Sequence, residues 1–536
     1  MAAESDSAAR SVWNDLERRE NVTAELTHVR FKEPARAYNN LLAVRDGEVY
    51  APPSTKRLRI MRTLGPALLD DLTRSSDPDR ALFNLANFSH SIGGRTGFLT
   101  LLAENPKTLH VLITLFAESQ FLTDLFLNRP ELIDTLIRVD LTHLTKNREH
   151  MLGEMRTALS QCDDIESELN ALRRYKNEEF IRIGLHDLGG AIDLVETLIQ
   201  LSDLADASVQ AALEMALSEL EQNHGTVPQG RFAVIGGGKM GGRELDYNSD
   251  LDLIFVYDAG EEAETTGGRH GPVPAHEFYV RLGQKLLSYL SAPTEEGILY
   301  KIDMQLRPSG KSGPLVSSLA AFREYHKSSS QLWERQALIK TRGIAGDRTL
   351  GEEVENITAA FAYGKTLAPD EIAEIHHLRM RMERELSAEN ATRFNLKKGR
   401  GGLVDIEFIT QMLQLTYGHR HPRLRERSTL AALDALREEK VLNSGEYRLL
   451  STGYLFLRRL DHRLRLECDQ SIDAFEADPG RLESIALALG YGIGDGSPRR
   501  KPKSGESLLK EYRSKREQIR ACYEQYFVSA RDPESH

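Results

Sequence analysis

The sequence predicts a predominantly helical α+β fold: a small strand-containing module, residues 226–345, set between two helical regions, residues 1–225 and 346–536. Three observations predict it. Apolar residues recur at three- and four-residue steps along both flanks. Between residues 232 and 342 that rhythm gives way to short apolar runs broken by glycine and proline. A chain of 536 residues, 40% of them hydrophobic, is also longer than a single core accommodates.

In the first region, residues 58–72, 80–88, 109–116, 130–137 and 165–201 carry helical periodicity, punctuated by Pro52-Pro53, Gly93-Gly94 and Asn128-Arg-Pro130. In the module, Phe232-Ala-Val-Ile235 reads as a short buried strand and residues 275–290 as a helix, while the acidic, glycine-rich stretch 258–271 reads as a mobile loop. After Gly346, helices are expected over 369–389, 403–417, 430–439, 445–467, 482–489 and 508–527, with residues 497–505 a basic, breaker-rich linker.

The chemistry concentrates in Asp246-Tyr-Asn-Ser249-Asp250-Leu-Asp252-Leu-Ile-Phe-Val. An extended strand points Asp250 and Asp252 to one side and Leu251, Leu253 and Phe255 to the other. Two carboxylates converging at the start of a buried strand are costly without a cation, and hard oxygen donors suit Mg²⁺ or Mn²⁺. Upstream, Gly236-Gly237-Gly238-Lys239-Met-Gly-Gly242 follows a strand, a turn whose backbone can approach a phosphate. The same turn fits the dinucleotide fingerprint at Gly236, Gly238 and Gly241, so an NAD-binding Rossmann oxidoreductase is the rival reading. Downstream, alternation puts Lys301, Asp303, Gln305 and Arg307 on one face of a strand; Asp303 would complete a three-carboxylate metal site and Arg307 would meet phosphate charge.

These strings, together with Asp303-Met-Gln-Leu-Arg-Pro-Ser-Gly310, Trp333-Glu-Arg-Gln-Ala-Leu-Ile-Lys340 and Gly399-Arg-Gly-Gly-Leu-Val-Asp405-Ile-Glu407-Phe, resemble glutamine synthetase adenylyltransferases. That family lies within the DNA polymerase β-type nucleotidyltransferase superfamily. The resemblance covers most of the chain and is closer to the family's carboxy-terminal, adenylylating half. It implies a polymerase β-type module that transfers AMP from ATP to a tyrosine of glutamine synthetase, with phosphorolytic removal of AMP as the alternative within the superfamily. It further implies Asp250, Asp252 and Asp303 as metal-holding catalytic residues, with Asp303 the candidate base. Gly237, Gly238, Lys239, Ser249 and Arg307 are then expected around the nucleotide, and Asp405 or Glu407 is expected either to orient nucleotide or partner or to cap packing beneath the glycine turn. A PII-type signal protein and glutamine are the implied regulators. Members usually carry two nucleotidyltransferase units; here the glycine and Asp-x-Asp block occurs once, the expectation for a split or reduced form or for a piece of a longer chain.

Composition sets exclusions. A formal net charge of -11 disfavours a protein that coats a nucleic acid polymer, although a basic stretch runs from Lys397, Lys398 and Arg400 to Arg427. With 28% charged residues and no long apolar run, no membrane span is expected. The start, Met-Ala-Ala-Glu-Ser-Asp, lacks the features of a signal peptide, so a cytoplasmic location is expected. Cys162, Cys468 and Cys522 are too scattered for a disulfide framework or a zinc site.

Overall fold

The apolar stripes of the first region fold into helices that pack on one another in a computed structural model describing residues 12–13, 15–28, 31–47, 52–91, 96–129, 145–467, 474–491 and 504–528. The helices are α1 (Arg19–His28), α2 (Pro34–Asp46), α3 (Thr55–Arg74), α4 (Pro78–Ser91), α5 (Thr96–Glu104), α6 (Pro106–Glu118), α7 (Gln120–Asn128), α8 (Arg148–Leu159), α9 (Ile165–Leu188) and α10 (Leu194–His224). The single helix expected over 165–201 is two helices. Gly190, at φ +69°, lies in the left-handed region just past the end of α9, and the Asp193 carboxylate caps α10 by accepting from Glu196 N. The expected helix at 130–137, the Gly93-Gly94 break, Cys468 and most of the 497–505 linker lie outside the described residues.

Among the described residues no single helix is long and apolar enough to cross a membrane. The pair α6 and α7 has the length and composition only when taken together, is bent by 113°, and turns Leu112, Phe116, Leu122 and Phe126 into the core.

The module supplies β1 (Arg231–Gly236), the short helix α11 (Gly238–Gly241), β2 (Leu251–Asp258), α12 (Ala275–Ser291), β3 (Ile302–Asp303), β4 (Val316–Ser318), α13 (Leu319–Ser328), α14 (Leu332–Ala337) and β5 (Arg342–Gly346). The main sheet runs β3-β2-β1-β5, with β4 also pairing with β2. β1 is antiparallel to β2, from Arg231 opposite Asp258 to Gly236 opposite Leu253, whereas β3 and β4 run parallel to β2. A dinucleotide fold needs a parallel β-α-β unit here, with a full helix after the glycines. An antiparallel β1–β2 pair and a four-residue α11 overturn the Rossmann alternative.

Strand alternation divides the sheet between two cores. Phe232, Val234, Leu251, Leu253 and Phe255 join the core of the amino-terminal helices. Ala233, Ile235, Ile254 and Val256 pack on the opposite face with Phe322, Leu350 and Val354. The stretch 258–271, expected to be mobile, is tied to the end of α10 by backbone bonds from Thr266 to Thr226, Gly267 to His224, Arg269 to Gln222 and His270 to Asn223.

The carboxy-terminal region contains α15 (Arg348–Tyr363), α16 (Pro369–Leu386), β6 (Arg393–Asn395), α17 (Leu403–Tyr417), α18 (Thr429–Glu438), α19 (Ser444–Glu467), β7 (Ala474–Glu476), α20 (Glu483–Ala488) and α21 (Ser504–Phe527). Most of these helices share a core that includes Ile406, Leu433, Leu457 and Tyr512, and β6 pairs antiparallel with β7 beside it. It meets the module through α15, whose Leu350 and Val354 cover one face of the sheet, and through α19, which lies against the segment between α11 and β2.

Candidate active site

The site begins where β1 ends. Gly237 N donates to the Asp252 carbonyl at 2.8 Å, which folds the glycine turn back over the start of β2. Gly238, at φ +52°, passes so close that a Cβ there would collide with Asp252 Oδ2, and a Cβ at Gly241 would collide with the Lys340 carbonyl. Glycine is therefore required at both positions by contact with named neighbours. Because Gly237 N–H is spent on Asp252, it is not available to phosphate as the sequence suggested; the next amide of the turn is that of Gly238.

Parallel pairing of β2 with β3 sets Asp252 opposite Asp303. Burial, and then the Asp303 and Asp250 charges, push the Asp252 carboxyl up to about 6, against the opposing pull of Lys397 and Lys239. Asp250 stands exposed one residue before β2 begins. Asp303 accepts from Gln305 N at 2.8 Å and from Gln305 Nε2 at 3.1 Å, which orients its carboxylate.

Among the described residues no three His, Cys, Asp or Glu side chains are drawn together into a ready-made metal cage. The site gathers two neighbouring carboxylates with a third at its mouth. One of the two is driven toward its neutral form by burial and then by the other's charge, which is the environment that a hard divalent cation relieves. The donor set fits Mg²⁺ or Mn²⁺ in kind.

The expected placements of Arg307 and Lys239 change, and Asp405 takes the packing role of its two expected ones. β3 is only two residues long, so Gln305 and Arg307 do not continue its face. Arg307 donates to the Met304 carbonyl at 3.0 Å and the Lys311 carbonyl at 3.3 Å, bracing its own turn rather than reaching over the carboxylates. Lys239 is 19% exposed and sits 3.6 Å from Asp461 on α19; burial and the neighbouring Arg458 charge bring its ammonium down to about 7 despite Asp461. Asp405 is fully buried, 2.5 Å from Arg379 Nε and accepting from Gly401 N at 2.8 Å, so it organises packing and does not reach a nucleotide. Ser249 Oγ accepts from Asp246 N at 3.1 Å, closing the turn into β2 and leaving its hydroxyl hydrogen free to turn outward.

Two further features of the site depend on residues far apart in the sequence. Lys397, half-buried in the loop between β6 and α17, places its charge within reach of both Asp252 and Lys239. Its backbone is fixed by Asn395 Oδ1, which accepts from Lys397 N at 3.0 Å and Lys398 N at 2.7 Å. Glu244, just after the glycine turn, is buried and accepts from Lys340 Nζ at 2.6 Å and Thr429 N at 2.6 Å, joining two of the motif strings and α18.

Residues 109–357 match the family described as Glutamate-ammonia ligase adenylyltransferase, and residues 372–527 match GlnD PII-uridylyltransferase. Similar curated proteins are named bifunctional glutamine synthetase adenylyltransferase/adenylyl-removing enzyme. The one from Nitrosococcus oceani is 33% identical over 489 residues, covering 89% of this chain and 50% of the relative. That from Pseudomonas putida is 31% identical over 504 residues, covering 88% and 50%, and that from Stenotrophomonas maltophilia is 38% identical over 381 residues, covering 71% and 41%. The chain spans about half the length of the curated relatives it matches.

Proposed function

We propose that this chain, which belongs to the glutamate–ammonia ligase adenylyltransferase family, transfers AMP from ATP to a tyrosine hydroxyl of glutamine synthetase with release of pyrophosphate. The observation that carries the reading is the Asp252–Asp303 pair set beside a glycine turn that packs directly on Asp252. Mg²⁺ or Mn²⁺ held by Asp250, Asp252 and Asp303 would supply neutralisation of the triphosphate and of the charge that develops on pyrophosphate.

The chain's own groups do the remaining work. The Gly238 N–H and the Ser249 hydroxyl donate to phosphate oxygens at the turn. Lys397, whose charge reaches Asp252, offsets negative charge at the leaving end. Asp303, oriented by Gln305, takes the phenolic proton; a free tyrosine ionises only near pH 10, so a carboxylate beside the attacking oxygen is needed at neutral pH. The match of residues 372–527 supports a PII-type signal protein as regulator.

The adenylyl-removing activity in the relatives' name supports the companion reading, phosphorolytic removal of AMP at the same carboxylates. Incubating the chain with Mg²⁺, ATP labelled in the α-phosphate and purified glutamine synthetase tests both readings. Label on a tyrosine is expected. Failure to label, with release of ADP from adenylylated glutamine synthetase and inorganic phosphate, would reassign the chain to removal.

A further inference from the structure

The segment between the glycine turn and the carboxylate strand, residues 239–249, is held by α10 through Asp203 and Ser202, by Lys340 and Thr429 through Glu244, and by four side chains of α19. Along α19, Arg458 Nη2 donates to the Glu244 carbonyl at 2.8 Å, while its Nη1 lies 3.3 Å from Asp461 Oδ2. Asp461 in turn stands 3.6 Å from Lys239 Nζ. Arg465 Nε donates to Asp461 Oδ1 at 3.1 Å and its Nη1 to the Tyr247 carbonyl at 3.3 Å. His462 Nδ1 lies 2.8 Å from Asp246 Oδ1, and its Nε2 lies 2.7 Å from Asp187 Oδ2 on α9.

Arg458, Asp461, His462, Arg465, Asp246, Asp187 and Glu244 are all buried. Buried charges and polar groups hold their places because each displaced partner leaves another uncompensated. Among the described residues, these α19 side chains make no hydrogen bond or ion pair with Asp252 or Asp303. Within the module they hold the connection between the glycine turn and β2, whose two ends carry Gly238 and Asp252.

We propose that α19 is a positioning clamp: through His462, supported by Arg458, Asp461 and Arg465, it fixes the course of residues 239–249 and so the register of the glycine turn over the carboxylate pair. The clamp rests on the reading of that pair as the nucleotidyl-transfer centre. His462 is a positioning residue, acting through Asp246. Because its other nitrogen holds Asp187, the amino-terminal helices enter the same junction. A ligand or partner that binds either helical region and shifts α19 is thereby coupled to nucleotide binding, and nucleotide binding to it.

The test is hydrogen–deuterium exchange on the full chain, paired with AMP-transfer kinetics, for the wild type, His462→Gln and Arg459→Ala. Arg459 lies on the same helix but lines an exterior groove with Thr452, Phe456 and Tyr491. In His462→Gln, peptides covering 239–249 should exchange faster and kcat should fall about tenfold or more, with the KM for ATP within about threefold, the pattern of a lost transition-state arrangement. Arg459→Ala should match the wild type in both.

Unchanged exchange across 239–249 in His462→Gln overturns the clamp, as does a kcat loss that merely tracks the folded fraction measured by near-ultraviolet circular dichroism. If His462→Gln does not fold, Arg465→Lys, which keeps the charge and shortens its reach to Tyr247, takes its place with the same expectations. If the wild type attaches no AMP, the functional reading falls and the exchange measurement alone decides the clamp.

Discussion

The Lys340 ammonium lies 2.6 Å from a carboxylate oxygen of Glu244, and the Thr429 hydroxyl accepts from the same ammonium at 2.9 Å. Thr429 N closes the triangle by donating to the other Glu244 oxygen. Glu244, two residues past the glycine turn, the end of the Trp333–Lys340 motif and the start of α18 thus meet in one buried knot.

Breaking that knot from one side should be severe. Lys340→Met leaves Glu244 buried without its cation and should cost about 3–5 kcal/mol in urea unfolding. Adding Glu244→Gln should restore part of the loss, since the uncompensated charge is then gone. A double variant no more stable than the single would show that packing, not charge, dominates.

Asp252→Asn should abolish AMP transfer by several orders of magnitude while leaving the fold intact. Asp252 is driven toward protonation by burial and Asp303, so removing its charge relieves repulsion when no divalent cation is present. The thermal midpoint of the variant in metal-free buffer should equal or exceed that of the wild type. A lower midpoint would contradict the electrostatic description of the site.

Asp303→Ala should also inactivate, but it leaves Asp250 and Asp252 in place. Mg-ATP binding measured by calorimetry should persist, weakened by no more than about tenfold, while turnover disappears. Complete loss of binding here, with binding retained in Asp250→Asn, would reverse the roles assigned to these carboxylates.

Lys397→Ala removes a charge that the module does not itself supply. Its backbone is held by Asn395 and its side chain is half-buried, so the KM for ATP should rise about tenfold with little change in stability, as for a single charge-assisted phosphate contact. An unchanged KM would place the nucleotide away from the loop before α17.

His462 gives a pH signature. Burial favours its neutral ring, yet Asp246 and Asp187 outweigh that and hold it up to about 9. A folded-state pKa above the unfolded value of about 6.5 means the histidine's contribution is complete below about pH 6.5 and disappears as pH rises through 9. The stability advantage of the wild type over His462→Gln, on the order of 2–3 kcal/mol from this linkage, should therefore shrink between pH 6.5 and 9.5 in urea titrations. An advantage independent of pH over that range would mean that the ring acts by shape and not by charge.

Local pattern carried much of this architecture. The helix expected over 403–417 is α17 residue for residue, and the alternation in Leu251–Asp258 defines β2 because both of its faces meet separate apolar cores. Local pattern fails where the outcome depends on a partner far along the chain. Arg307 looked like a continuation of β3, but Asp303 captures Gln305 N, and that short-range bond ends the strand. Lys397 and His462 lie outside the module in sequence, and only the docking of α17 and α19 brings them to it. Lys239 matched a phosphate-binding pattern, yet its ammonium faces an aspartate that periodicity along α19 does not distinguish from any other helical acid.

The sheet's division of its side chains bears on how the molecule could be dismantled. One face of β1 and β2 is covered by the helices that precede them, through Phe232, Val234, Leu251, Leu253 and Phe255. Excised on its own, residues 226–345 would keep the cover of α12, whose Tyr279 stacks on Phe232, but would lose that of the amino-terminal helices and expose the apolar surface they share, and strands with such a surface stick to one another. The strand module is thus not a cassette to be cut out and grafted elsewhere; a soluble truncation must carry α9 and α10 along with the strands they shield.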